Sequence, residues 1–506
     1  MLAEHIESIF RPGGWLQQRG GHHLEEQMRY AQSVVEWIEG RETTPVAMLE
    51  GETGTGKTLG YLFPLLLSLY EHESRAVVST HTIALQNQII ESDLEVVREY
   101  FAEHELVFPA IIQLLGRQQF VDPNRVSCLI ASSEHHNPEY EMLLEWAENS
   151  ARRDTGLIQQ WFEQYGDLPD GVSVDSICMT TQSDDDVNAG FQQARKDAGD
   201  ADLVITSHAM LATEMATACE LIGLRGEDTW LIIADEADHL PHAAHSLINR
   251  RLLLSRLQRL IQPLTRRNST KTQALEALST IDDLTDESQR IGAYYGSNAR
   301  LFQDIENTNV FFSVNVYSLE RLSGDLLKSA RRLRLKDAER HWHEDLVGEL
   351  EWVSRFSEND PTSIRFPAVG WSEVQRLPSL MSYASTAAPV INRLWRKHNN
   401  RALMTSATLG AASSDDLDWR FAQFRSSIGA AQKQTQFARA YSPRDFGDMS
   451  VVLADPQTPK PVESSGEDGT RLSWAFIANT ASMIQYASHS GPVLVLTASF
   501  SEALKL

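Results

Sequence analysis

With 506 residues, 42% hydrophobic and 23% charged, the chain has material for three or four domains at roughly 100–200 residues each. It has no run of about 20 apolar residues, and MLAEHIESIF at its start carries acids where a signal peptide would carry bases, so no membrane partner and a cytoplasmic location are expected. A net charge of −24 argues against a general polyanion binder and leaves local basic stripes as the route to nucleic acid, and three widely spaced cysteines (Cys128, Cys178 and Cys219) argue against a disulfide framework or a four-cysteine metal site.

In chain order, residues 1–23 contain Pro12-Gly13-Gly14 and Gly20-Gly21 and are predicted to form an irregular lead-in. Leu24–Glu39 carries Met28, Ala31, Val34, Val35 and Ile38 near helical spacing, which predicts a helix. Gln27 stands at its start and by itself reads as a solvated residue. The next stretch, VAMLEGETGTGKT over residues 46–58, organises the chain. Val46–Leu49 is a buried-strand pattern, and Gly51, Gly54 and Gly56 permit a loop that other residues adopt only at a cost. Gly51-x-x-x-x-Gly56-Lys57-Thr58 fits the phosphate-binding loop at every specified position. In such a loop successive N–H groups form a concave nest, and the following helix adds its N-terminus; both attract phosphate oxygens. Gly51, Thr53, Gly54, Thr55, Gly56, Lys57 and Thr58 are therefore the candidate ATP-binding residues. Lys57 would neutralise the β and γ phosphates, and the Thr58 hydroxyl would hold Mg²⁺.

Beyond the loop, strand and helix patterns alternate. Ala76–Ser79 is strand-like and ends in Thr80-His81-Thr82; Ile83–Glu91 is helix-like. Ala110–Leu114 is another strand, Leu203–Thr206 ends in Ser207-His208, and Leu231–Ala234 runs into Asp235-Glu236. Continuously apolar strands in this alternation predict an α/β fold whose parallel sheet is covered on both faces. Ligands then bind beyond the carboxyl ends of the strands, where these polar residues fall. Asp235 would bind the Mg²⁺ shell and Glu236 would orient and deprotonate the attacking water. His208 and His239 read either as reporters of nucleotide state or as hydrogen-bonded structural histidines.

Residues 246–385 are helix-rich in pattern and concentrate basic charge in two groups. Arg250, Arg251, Arg256, Arg259, Arg266 and Arg267 form one, and Lys328, Arg331, Arg332, Arg334 and Lys336 the other. Each is a candidate wall for a polyanion or the solvated face of an amphipathic helix. Trp342 and Trp352 read as core residues or as platforms for bases. Asp184-Asp185-Asp186 is a loop of like charges, and residues 456–469 are the most linker-like stretch.

GETGTGKT, STHTIALQNQ, ADLVITSHAML, IIADEADHL and LMTSATL stand in the order of motifs I, Ia, the stretch before II, II and III of the DinG/XPD family of superfamily 2 helicases, which this chain resembles. LEEQMRYA is similar to the family's Gln motif, and YSPRDF and GPVLVLTASFSEAL resemble the opening of its second motor lobe. The resemblance implies a nucleic-acid-stimulated ATPase that moves along single-stranded DNA, usually 5′ to 3′, and acts at duplex junctions. It makes Gln27 a nucleotide-site residue. Thr80, His81, Thr82, Ser207 and His208 become nucleic-acid contacts, joined by Arg331, Arg332 and Arg334 of the arch. His239, Thr405, Ser406, Ala407 and Thr408 become coupling residues. The implied layout is a P-loop, RecA-like first lobe (1–115, 195–245 and 386–412) with an iron–sulfur-type insertion (116–194) and a helical arch (246–385), then the start of a second RecA-like lobe (413–506).

Three departures qualify it. Asp122 stands at a cluster-cysteine position in LLGRQQFVDP, and of the remaining cysteines Cys178 alone lies near a ligand position. Four thiolates are required, so the insertion is expected to be vestigial, with no iron–sulfur cluster. In motif II, Asp238 holds the fourth position, where a His is common, and His239 follows. The chain ends at Leu506, before the family's later motifs and their arginine fingers, so a truncated, weakly active form is expected. The combination looks most like the CRISPR-associated DinG helicases of type IV systems, which implies an RNA-guided complex as a partner. Two other classes compete: an ATP-gated clamp with little turnover, and a P-loop ATPase with no nucleic-acid partner.

Overall fold

Seven parallel strands carry the structure. In the computed structural model they are β1 (Val46–Gly51), β2 (Arg75–Thr80), β3 (Ile111–Leu114), β4 (Leu203–Ser207), β5 (Trp230–Asp235), β10 (Arg401–Ser406) and β11 (Thr435–Tyr441), in the order β11-β1-β10-β5-β2-β4-β3. The residues described are 2–21, 24–40, 45–72, 74–132, 138–153, 155–180, 183–217, 222–224, 230–297, 309–312, 316–335, 340–356, 365–372, 378–384, 386–396, 400–410, 416–441, 462–464 and 470–489. YSPRDF beyond Tyr441, GPVLVLTASFSEAL with its expected strand Val493–Thr497, Cys219, Lys336 and the side chain of Arg251 lie outside them, as does most of the linker-like stretch 456–469.

Both faces of the sheet are buried, which is why its strands read as unbroken apolar runs. Val46, Met48, Ile232 and Ala234 belong to one core, and Ala47, Leu49, Leu231 and Ile233 to the other. This is the expected P-loop, RecA-like α/β fold. Register sets the site. Leu49–Glu50 pairs with Thr405–Ser406, Thr405 with Asp235, Ala234 with Ser79, and Thr80 with Ser207. The carboxyl ends of β1, β10, β5, β2 and β4 therefore open on one edge.

The helices α1 (Leu2–Phe10) and α2 (Trp15–Gln18) correct the expected irregular lead-in. Leu2, Ile6, Ile9 and Phe10 recur at helical spacing and are buried, and the Trp15 ring meets Phe63 and Tyr100 edge-on. The Pro-Gly-Gly turn only separates the two helices. Next come α3 (Glu25–Glu39), α4 (Lys57–Glu71), α5 (Ile83–Gln88) and α6 (Leu94–Glu103). A single π turn, Ile89–Asp93, begins inside the stretch 83–91 expected as a helix and joins α5 to α6.

Within 116–194 lie α7 (Pro123–Ser132), α8 (Pro138–Arg153), α9 (Ile158–Tyr165) and α10 (Val174–Ile177), with a core of their own around Leu143, Trp146 and Trp161, and α11 (Ala189–Asp200) runs out of the insertion. Then α12 (His208–Ala216) follows β4, and α13 (Leu240–Ile248) leads out to the arch.

The arch holds α14 (Leu254–Ile261), α15 (Lys271–Ser297), α16 (Tyr317–Ala330) and α17 (Arg340–Val353). It also holds an antiparallel sheet that helical periodicity did not announce: β6 (Arg250–Leu253), β7 (Asn309–Phe312), β8 (Arg365–Ser372) and β9 (Pro378–Ala384), in the order β6-β9-β8-β7. The short helices α18 (Ala388–Ile391) and α19 (Arg393–Arg396) return to β10, and α20 (Leu417–Arg420) and α21 (Ala422–Ser427) precede β11. Residues 1–443 form one compact unit. The second unit, 444–506, contributes the antiparallel pair β12 (Val462–Ser464) and β13 (Thr470–Leu472) and the helix α22 (Trp474–Ser488).

Candidate active site

The loop between β1 and α4 is built on left-handed glycines, Gly54 at φ +86° and Gly56 at φ +70°. Gln27 of α3 donates from Nε2 to Gly56 O at 3.0 Å. It is buried, so the solvated alternative for Gln27 gives way to a residue that braces the loop. Thr55 is buried and donates to Glu52 O, whereas Thr53 and Gly54 face solvent. Lys57 Nζ donates to Gly51 O at 2.7 Å, at the mouth of the loop. Burial lowers its pKa, and the charges of Asp235, Glu236 and Asp238 act in the opposite sense. Thr58 is the second residue of α4, half-buried. The glycine-built loop and its lysine suit a polyphosphate, and Thr58 with Asp235 offers the hard oxygens that Mg²⁺ takes.

Asp235 ends β5. Its Oδ2 accepts from Tyr61 Oη at 2.9 Å and its Oδ1 from Glu236 N at 2.9 Å. Burial raises the Asp235 pKa, against the Tyr61 hydrogen bond and the Lys57 charge, which lower it. Glu236 has φ +56°, left-handed without being glycine. Its carbonyl accepts from His208 Nε2 at 3.1 Å and from His239 N at 3.0 Å. Because a carbonyl only accepts, Nε2 carries the His208 proton, and in the neutral ring Nδ1 accepts from Ser79 Oγ at 2.9 Å. Burial pushes the His208 pKa down to about 4, so the ring is neutral at pH 7.

His208 and Thr80 are buried, which corrects their expected role as nucleic-acid contacts: neither reaches the surface in this conformation. His81 and Thr82 are exposed and Ser207 is half-buried. Thr82 and Ser207 cap α5 and α12 through Leu85 N and Met210 N. His81 stacks on His239 with ring centroids 4.0 Å apart.

The expected coupling group splits. Ser406 Oγ donates to Asp238 Oδ1 at 2.5 Å and Thr408 Oγ1 to Asp238 Oδ2 at 2.8 Å. Burial acts to raise the Asp238 pKa, but these hydroxyls bring it below the usual value. Asp238 rather than His239 thus ties motif II to motif III. Thr405 is buried and accepts from Tyr30 Oη at 2.7 Å, and Ala407 lies between the two bonded hydroxyls. Motif spelling does not reveal the partners of Tyr30, Tyr61 or Ser79, nor the pairing of Arg420 with Glu50 through Nε at 2.8 Å and Nη2 at 2.7 Å.

At the position where the resembled family carries a cluster cysteine, Asp122 Oδ1 accepts from Asn124 N and Arg125 N at the start of α7, and Oδ2 from Ser183 Oγ. Burial pushes the neighbouring Cys178 thiol up to about 12. A helix-capping carboxylate, already bonded to Asn124 N, Arg125 N and Ser183 Oγ, does not fit a four-thiolate cluster. Beside them a cleft of about 920 Å³ opens between this insertion and the arch, with Arg125, Arg250, Arg256 and Arg259 in its lining. Glu349 and Asp345 also line it and pair with Arg250 at 2.8 Å and Arg256 at 3.8 Å. Arg331, Arg332 and Arg334 are not part of this lining. Arg331 pairs with Glu351 at 3.0 Å. Trp342 packs on the arch core and donates to Leu260 O, and Trp352 packs on the same core beneath Arg250.

Residues 29–120 match the DEAD/DEAH box helicase family. An ATP-dependent helicase DinG of Mycobacterium tuberculosis is 27% identical over 256 residues, covering 47% of this chain and 38% of the relative. An ATP-dependent DNA helicase YoaA of Haemophilus influenzae is 26% identical over 285 residues, covering 55% of this chain and 43% of the relative. The chain thus spans less than half the length of either. Among solved structures, S. tokodaii Xpd4 aligns with a TM-score of 0.35 at 12% identity, over 76% of this chain and 58% of that one. Residues 29–120 thus resemble the DEAD/DEAH box helicase family, in a chain similar over about half its length to DinG-type helicases.

Proposed function

We propose that the protein is an ATP-dependent DNA helicase or translocase of the DinG type, moving 5′ to 3′ along single-stranded DNA and unwinding duplex at junctions. The observation that supports this best is the register that brings Glu50, Ser406, Asp235, Ser79 and Ser207 to one edge of the sheet beside Lys57. The loop N–H groups and Lys57 bind the phosphates, with Gln27 bracing Gly56. Thr58 and Asp235 hold Mg²⁺, which when bound neutralises phosphate charge. Glu236 orients the attacking water and takes its proton. Asp238, bonded to Ser406 and Thr408, carries the state of the site to β10.

On the nucleic-acid side, His81 and Thr82 at the strand ends and the arginines of the cleft contact the phosphate backbone. The helix-capping Asp122 supports a cluster-free insertion and, through it, the narrower assignment to CRISPR-associated DinG helicases of type IV systems in the cytoplasm, working with an RNA-guided complex. Binding of a fluorescent ATP analogue with Mg²⁺ tests the site. Lys57→Ala should abolish binding, and Glu236→Gln should keep it while slowing hydrolysis about 10²–10⁴-fold. Wild-type turnover by Glu236→Gln would contradict the assignment.

A further inference from the structure

Glu236 sits in a main-chain conformation that an L-residue holds only under constraint. Its φ of +56° is shared, among the described non-glycine residues, by Glu105 alone at +54°. Strain of this kind persists where neighbours over-determine it. Here the neighbours are specific. The Glu236 N–H is tied to Asp235 Oδ1, and the Glu236 carbonyl takes both His208 Nε2–H and His239 N–H.

His208 is itself fixed. It is the first residue of α12, directly after β4, and only 1% exposed. Ser79, near the end of β2, donates to its other nitrogen. One buried ring therefore gathers the carboxyl ends of three strands, β2, β4 and β5, onto a single carbonyl.

We infer that His208 is a positioning residue: its Nε2–H bond to the Glu236 carbonyl holds the left-handed turn that sets the direction of the Glu236 carboxylate, and Ser79 keeps the ring in the donating tautomer. The inference rests on Glu236 being the group that takes the proton of the attacking water. No substrate contact by His208 is involved.

Two amide replacements separate positioning from plain packing. The Gln amide nitrogen extends to the depth of imidazole Nε2 and so reaches the Glu236 carbonyl; the Asn amide stops at the depth of Nδ1 and reaches Ser79 only. In the full chain, with saturating single-stranded DNA, His208→Asn should lower kcat for ATP hydrolysis about 10–100-fold, as expected for a misplaced catalytic group. KM for ATP, analogue affinity and Tm should change little beyond what His208→Gln also shows, and His208→Gln should recover most of kcat. Ser79→Ala, which removes one hydroxyl, should lower kcat in the same direction without moving KM. Wild-type kcat in folded His208→Asn, or kcat losses in both amide variants that follow their Tm, would overturn the inference. Undiminished hydrolysis by Glu236→Gln would instead remove the assignment of Glu236, and the inference would fall with it.

Discussion

Gly56 is where backbone freedom and close packing coincide. Its φ is +70°, and a β-carbon there would lie 2.1 Å from Gln27 Nε2. Gly56→Ala should cost about 1–2 kcal/mol for the left-handed backbone alone, with a further loss for the displaced Gln27, and should weaken binding of an ATP analogue. Urea denaturation and an analogue titration check the two parts. Buried His208 and half-buried Asp93 act on acid stability with opposite sign. His208, near 4 when folded against 6.5 unfolded, binds fewer protons in the native state. It contributes stability above pH 6.5 that is lost towards pH 4, at most about 3 kcal/mol. Asp93, pushed up to about 6 from 3.8 by burial and the Asp235 charge, binds more protons when folded. Its contribution therefore grows as pH falls from 6 to 3.8. Asp93→Asn should stabilise the protein at pH 7 and steepen its loss of stability in acid, whereas His208→Gln should flatten that loss, as denaturation at pH 7, 6 and 5 would show. Lys57, Thr58, Asp235 and Glu236 were legible because each belongs to a motif of adjacent residues. Tyr61 and Tyr30 were not, because their partners Asp235 and Thr405 lie 174 and 375 positions away.

At the scale of elements, the strands β1, β2, β4 and β5 were visible as apolar runs ending in polar residues, and β3 as a short apolar stretch. Helices α1 and α2 were hidden by the glycines between them, and the arch sheet by short strands scattered between long helices. The insertion 116–194 folds around its own apolar core, with Asp122 capping α7. The protein purified anaerobically should therefore contain no iron or acid-labile sulfide, and Ala at Cys128, Cys178 and Cys219 together should leave hydrolysis intact; stoichiometric iron would contradict this. The arginine-lined cleft shifts attention from the second basic group to the first. Binding of single strands should weaken with salt at about −0.7 per phosphate neutralised. Arg250→Ala, Arg256→Ala and Arg259→Ala combined should flatten that slope by at most roughly 2, less where Glu349 and Asp345 already offset the charge. Changing Arg331, Arg332 and Arg334 together should flatten it less, since Arg331 is paired with Glu351 and none of the three lines the cleft.

At the scale of the whole molecule, the sheet edge joins the two halves of the proposed activity. The phosphate loop leaves β1, the acids leave β5, and the exposed His81 leaves β2 and stacks on His239 three residues beyond Glu236. On the proposed reading, nucleic acid at the end of β2 and nucleotide at the end of β1 would be linked through the stacked rings of His81 and His239 and the Asp238–Ser406 bond. The sequence motifs pointed to this edge; the route across it depends on register between strands far apart in the chain. Steady-state ATP hydrolysis by the full chain, measured with and without single-stranded DNA, tests the account most directly. It predicts hydrolysis that rises with DNA and falls about 10²–10⁴-fold in Glu236→Gln with nucleotide binding retained. Hydrolysis indifferent to DNA would contradict it and leave a P-loop ATPase without a nucleic-acid partner.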